Sequence, residues 1–167
     1  MPILRISVMV ILLVGSVLVQ VTALQSIQLF GAAPDLVLLV VILGGIWLQP
    51  EVAVGFGFVG GLLIDLLGLA PLGLSALSFT VAAYLTVRIR EYFSYGLPIE
   101  ALLLGFVTLV GLGTNALVGT LFGEGTLGNP DLVRTLVLVP IYNALLALIA
   151  LPLASRLYLG LGNPGYR

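Results

Sequence analysis

Four polar residues stand inside long apolar stretches of this chain, and they are the side chains whose chemistry could matter most: Asp65, Asn115, Tyr142 and Asn143. Asp65 is the only acid well inside an apolar run, so it should face other helices or a wet pocket rather than lipid. It either contacts a partner or ligand, or it caps the turn between Gly68 and Gly73. Asn143 can donate hydrogen bonds between helices. We expect these four side chains to line a polar pocket.

The rest of the composition excludes most enzyme chemistry. The chain has no Cys and no His, which removes thiol nucleophiles, Ser-His-Asp triads and the usual zinc, haem and iron–sulfur ligands. A single interior acid with no Lys or His beside it supports no proton relay. The net charge of −1 provides no basic surface for nucleic acid. We therefore predict no catalytic residues, no metal site and no cofactor.

Small residues recur at a spacing of four in two apolar runs. Gly57 and Gly61 precede Asp65 on one face of the third run. The fifth run has the same spacing at Gly111, Asn115, Gly119 and Gly123. In lipid, helices attract one another through close backbone approach, so this spacing marks a contact surface. Two interpretations stand for each stripe: packing between helices of this chain, or docking of another protein's helix.

The elements that carry these residues are predicted to be transmembrane helices. The chain is 60% apolar and 8% charged over 167 residues, with a mean hydropathy of +1.27, which predicts a single all-α transmembrane domain over 1–167. Glycines and prolines divide it into six apolar runs, at about 6–24, 35–48, 52–69, 72–90, 97–122 and 132–159. The first exceeds a signal-peptide core, so we expect an uncleaved helix.

The second run is short for a membrane span. Its 14 residues reach about 21 Å as a helix, against a hydrocarbon core of about 30 Å. It could be a short or partly re-entrant segment, as could the glycine-rich third run. Either would have to be sheltered by the other helices, because lipid cannot satisfy free backbone groups.

The arginines orient the predicted spans. With six spans and an inside N-terminus, five of the six arginines fall on the cytoplasmic side: Arg5, Arg88, Arg90, Arg156 and Arg167. Only Arg134 falls outside. This bias satisfies the positive-inside rule and predicts that both termini are cytoplasmic.

The chain resembles the rod shape-determining MreD family. The resemblance rests on Pro34-Asp35-Leu36, on the segment from Gly57 to Asp65, and on Pro71 through Leu77. Further matches are Ala83-Tyr84-Leu85 and the segment from Pro140 to Ala147. These blocks occur in order over about 115 residues.

The resemblance implies a six-helix bundle similar to the S components of energy-coupling-factor transporters. It also implies a non-catalytic scaffold in the bacterial inner membrane that binds MreC. MreB and the RodA–PBP2 synthase are the implied partners in a larger complex that couples peptidoglycan synthesis to rod shape.

Two other functions remain open. A solute-binding S component of a vitamin or metal uptake transporter would share the fold, but its pocket needs several polar groups on facing helices. Almost the only polar groups available for such a pocket are Asp65, Asn115, Tyr142 and Asn143. The Ala-x-x-x-Ala docking motif of S components is also missing from 6–24. An intramembrane transferase would need an acid–base pair that the sequence does not provide.

Overall fold

The computed structural model describes residues 2–24, 30–68, 71–123 and 125–160, and this part of the chain forms six α-helices. The helices are α1 Pro2–Val19, α2 Leu36–Trp47, α3 Pro50–Leu67, α4 Leu74–Ile89, α5 Leu97–Leu121 and α6 Asp131–Gly160. Short helical segments follow three of them: a π-helical turn at Gln20–Leu24 and 3₁₀ turns at Arg90–Ser94 and Thr126–Gly128. No strand occurs in the described ranges. The prediction of an all-helical chain with six helices is confirmed there.

Four of these helical segments are long and apolar enough to cross a membrane. They are Ile6–Leu24, Pro50–Leu67, Leu97–Leu121 and Asp131–Arg156. The remaining two helices are shorter, with 16 residues in α4 and 12 in α2. Every predicted run therefore contains one helix, but length and composition alone support four spans rather than six.

The short helix α2 lies at the centre of the bundle and contacts each of the other five α-helices. All nine residues from Val37 to Gly45 are buried. A helix that is apolar on every side can occupy such a position, since it has no polar face to direct toward solvent. The shelter that so short an apolar segment requires is thus supplied by its neighbours.

The other helices pack around α2 as peripheral elements. The most extensive contacts join α3 to α4 and α5 to α6, which are consecutive antiparallel pairs. Helix α1 packs on α2 and, less extensively, on α3. It buries Met9, Leu13 and Val17, which lie one turn apart along one face. Its opposite face, with Val14 and Leu18, is exposed.

Candidate functional site

Asp65 joins the end of α3 to the start of α4. Its side chain is 2% exposed, although the residue lies only two positions before the end of α3. The carboxylate accepts three hydrogen bonds of 2.9, 3.0 and 3.1 Å, from the backbone N–H groups of Gly73, Ser75 and Ala76. Both oxygens are engaged, so the carboxylate serves as a cap and not as a free base.

The local sequence explains why α4 takes its cap from another helix. The first N–H groups of any helix lack partners within it. The N-cap residue of α4 is Gly73, which has a φ of 97° and no side chain to accept a hydrogen bond. Asp65 supplies the missing acceptor, and its negative charge suits the positive end of the helix dipole. Two roles were expected for Asp65: contact with a partner or ligand, or a cap on the turn between Gly68 and Gly73. The observed geometry is that of a cap, and it reaches beyond this turn to the first residues of α4.

Gly57 and Gly61 are buried where the backbones of α3 and α4 meet. A Cβ atom added at Gly57 would lie 2.7 Å from the carbonyl oxygen of Phe79. One added at Gly61 would overlap the backbone of Ser75 and Ala76. This stripe of α3 therefore faces α4, and it brings Asp65 close enough to reach the α4 N-terminus.

A second polar site fixes the beginning of α2. Asn143 of α6 is fully buried and contacts the backbone of Asp35 twice, accepting from its N–H at 3.1 Å and donating to its carbonyl at 3.0 Å. The Asn143 amide also donates to the hydroxyl of Thr108 on α5, at 3.4 Å. Asp35 itself caps α2 by accepting from Leu38 N–H at 2.9 Å. One asparagine thus holds α2, α5 and α6 together.

Further contacts hold each end of α2. Near its start, Gln20 accepts a hydrogen bond of 2.9 Å from the backbone N–H of Leu36. Past its C-terminus, the Arg90 guanidinium lies 3.4 Å from the carbonyl oxygen of Leu48, where a cation is favoured by the helix dipole. Along its length, a Cβ at Gly45 would lie 2.7 Å from Cβ of Thr86, so α2 approaches α4 closely.

Asn115 and the second stripe lie in different surroundings. Asn115 lines a cavity between α5 and the start of α6. Gly111 is buried, and a Cβ added there would lie 3.2 Å from Leu38 of α2 and 3.4 Å from Ala82 of α4. Gly119 is also buried. Gly111 therefore packs against helices of this chain.

Three of the four polar residues predicted to share a pocket, Asp65, Asn143 and Asn115, have different surroundings. Asp65 bonds to α4, Asn143 bonds to Asp35 and Thr108, and Asn115 lines the cavity beside α6. Tyr142, beside Asn143 in the chain, is partly exposed. Asp65 and Asn143 therefore make separate interhelical contacts, and a pocket shared by all four residues stays a prediction.

Sequence reasoning missed Gln20, Thr108 and Gly45 as interior contact residues, and it used Asp35 only as part of a family motif. Gln20 and Thr108 are polar residues inside apolar runs, as Asn143 is, so the signal that singled out Asn143 was present for them. The Gly44-Gly45 pair likewise marks a place where a neighbouring helix can approach α2.

Over its described residues, the chain defines a class of protein: it is all-helical, four of its helices are able to cross a membrane, and Asp65 and Asn143 hydrogen-bond helices to one another. The family model of rod shape-determining protein MreD matches residues 2–158, nearly the whole chain. The chain belongs to the MreD family. No curated protein and no solved structure matches it.

Proposed function

We propose that this protein is a non-catalytic membrane scaffold of the bacterial cell-elongation machinery that binds the transmembrane helix of MreC. RodA–PBP2 synthase and MreB belong to the larger complex in this proposal, and peptidoglycan synthesis is coupled through it to rod shape. The observation that carries the proposal is the MreD family match over residues 2–158, which supports a role in rod-shape determination. The interior polar groups support it further, because they serve as caps and interhelical contacts.

The proposed location is the inner membrane, with six helices crossing it and both termini in the cytoplasm. The arginine distribution supports this orientation. The short α2 is compatible with it because neighbouring helices surround α2, so its ends need not meet the lipid headgroups on their own. The likeness of this bundle to an S component is part of the same proposal.

The exposed face of α1 is the proposed docking surface for MreC. The glycines that first suggested a docking groove, Gly57 and Gly61, are occupied by α4. On α1, by contrast, a Cβ added at Gly15 would meet nothing within 4 Å. Gly15 lies on the side of the helix that carries exposed Val14 and Leu18. A small residue on an open apolar face allows a partner helix to approach closely.

Affinity purification of the tagged protein in mild detergent tests the proposal. Gly15→Leu should reduce recovery of MreC while leaving the protein folded, because the new side chain enters open space. Gly113→Leu on α5 is the matched control, since a Cβ there also meets nothing within 4 Å. Undiminished MreC recovery with Gly15→Leu would refute the α1 surface. Failure of the unmodified protein to recover MreC, or recovery of an ATP-binding-cassette module, would refute the scaffold.

The solute-binding alternative gains no support from the geometry. A vitamin pocket requires polar groups that converge from facing helices. Here Asp65 bonds to the start of α4, and Asn143 bonds to the start of α2. Asn115 lines a cavity beside α6. The scaffold is therefore the function that we propose.

A further inference from the structure

A pocket lies at the end of the bundle where α2 finishes and α5 begins. Its volume is about 420 Å³, within the range of about 300–1,000 Å³ that is typical of ligand pockets. Trp47 at the end of α2, Phe93 in the turn before α5 and Glu100 in the first turn of α5 line it. The other lining residues are mostly apolar: Ile46, Gly96, Leu97, Leu151, Pro152 and Ser155. None of them belongs to the polar contacts described above or to the proposed MreC surface on α1.

The Glu100 carboxylate gives this pocket a negative charge. It is the only charged side chain among the described residues that line the pocket, and it forms no ion pair with a described arginine. The backbone N–H of Gly96 is one hydrogen-bond partner, but a carboxylate can accept at about four lone-pair sites. The positive end of the α5 dipole amounts to about half a unit charge. The pocket therefore keeps a net negative charge and unused acceptor capacity.

Two arginines lie near this end of the bundle, but neither lines the pocket. The Arg90 guanidinium is directed at the carbonyl oxygen of Leu48, 3.4 Å away. Arg156, late in α6, is exposed and forms no ion pair with a described residue. A cation that pairs with Glu100 inside the pocket would therefore come from outside the described part of the chain.

The aromatic and apolar walls narrow the kind of cation. Aromatic rings such as those of Trp47 and Phe93 attract cations through their faces. A guanidinium group is planar and weakly hydrated, so it stacks on such rings, whereas an ammonium group holds its water strongly. The apolar part of the wall suits the methylene stem of an arginine side chain. An arginine therefore matches the pocket better than a lysine or a small inorganic cation.

The position of the pocket indicates where such an arginine would come from. In the proposed orientation, α2 ends and α5 begins at the cytoplasmic face of the membrane. Transmembrane helices carry their basic residues mostly at this end, so a partner helix beside the bundle presents arginine at the depth of the pocket. Leu97, which lines the pocket and is 43% exposed, offers apolar surface to such a helix.

We propose that this pocket binds the guanidinium group of an arginine at the cytoplasmic end of a partner's transmembrane helix, with Glu100 as its counter-ion and Trp47 and Phe93 as its aromatic walls. The proposal rests on the membrane orientation proposed above but not on MreC binding to α1. Its test uses the purified full chain and synthetic peptides, so its failure is distinct from failure of MreC recovery.

Fluorescence of Trp47, the only tryptophan of the chain, reports on the pocket directly. The probe is a transmembrane peptide of leucine and alanine with one terminal arginine and a dansyl group beside it, and energy transfer from Trp47 in detergent micelles measures binding. A second peptide carries citrulline, which is neutral and nearly isosteric with arginine. We expect severalfold tighter binding of the arginine peptide. Glu100→Gln should abolish this preference while its amide oxygen still accepts from Gly96. Glu51→Gln is the matched control, because Glu51 is an exposed acid in the first turn of α3, at the same end of the bundle.

A second variant guards against misfolding of Glu100→Gln. Leu97→Arg places a competing guanidinium three residues before Glu100 on α5, where the two side chains are neighbours, and it should also reduce the preference. Equal binding of the two peptides to the unmodified protein would overturn the proposal, as would an unchanged preference in either variant. An equal loss in Glu51→Gln would show that surface charge alone attracts the peptide. Quenching of Trp47 by n-butylguanidinium without any preference between the peptides would show that a soluble cation, not a partner helix, is the ligand.

Discussion

Replacing Asp65 tests whether this carboxylate fastens α3 to α4. One oxygen accepts from both Gly73 and Ala76, and the other accepts from Ser75. In Asp65→Asn, the amide oxygen can keep the first two hydrogen bonds. The Ser75 N–H then faces an NH₂ group and loses its acceptor.

The expected losses follow from counting abandoned donors. A buried donor left without an acceptor costs about 1–3 kcal/mol, and loss of a charge at a helix N-terminus adds about 0.3–1 kcal/mol. Asp65→Asn should therefore lower the free energy of unfolding by about 1–4 kcal/mol. Asp65→Leu abandons all three donors and should lower it by about 3 kcal/mol or more. The expected order of stability, from highest to lowest, is wild type, Asp65→Asn and Asp65→Leu.

Unfolding of the purified protein in mixed micelles of increasing SDS fraction measures these differences. Asp131→Leu is the matched control, because that carboxylate is exposed and pairs with a surface arginine. We expect it to lower the free energy of unfolding by no more than about 1 kcal/mol, because it loses only a charge at the start of α6 and a surface ion pair. The Asn variant should retain partner binding at least partly. An Asn variant as unstable as Leu, or a Leu variant as stable as the wild type, would refute the capping argument.

Three further predictions follow from the helix contacts. Asn143→Leu should destabilise the protein by about 1–3 kcal/mol or more in the same SDS titration. Asn115→Leu should not, because Asn115 makes no hydrogen bond to another described residue, and equal losses would refute the role of Asn143 in holding the start of α2. Gly61→Ala should push α3 away from α4 and reduce the folded fraction in size-exclusion chromatography, whereas Gly55→Ala enters open space and should be tolerated. A tolerated Gly61→Ala would contradict the close approach of the two helices. Reporter fusions should give a cytoplasmic signal at the α4–α5 turn and an exterior signal at the α5–α6 turn, and a reversed signal at either would refute the six-span topology.

The elements of this fold could be predicted because they depend on local sequence. Apolar runs separated by glycine and proline determine where helices begin and end, and the six helices lie within a few residues of the predicted runs. The importance of Asp65 and Asn143 was also evident from sequence. Each is a polar group in an apolar run, and such a group requires a partner.

The partners themselves were not evident. Asp35 and Asn143 are 108 positions apart in the chain, and no local pattern pairs them. Likewise, the spacing of Gly57 and Gly61 indicates a contact surface whether the neighbour is α4 or another protein. The tertiary structure assigns the contact to α4.

The sequence by itself determined that the chain is helical and apolar, how many helices it has, and which polar groups must be satisfied. Only the tertiary structure decided that α2 is central, that α1 is peripheral and that Asn115 lines a cavity apart from Asn143. The physical reason is that lipid tails are as apolar as leucine side chains. Hydropathy therefore cannot distinguish a face that meets lipid from one that meets another helix, and the interior emerges only when all six helices pack together.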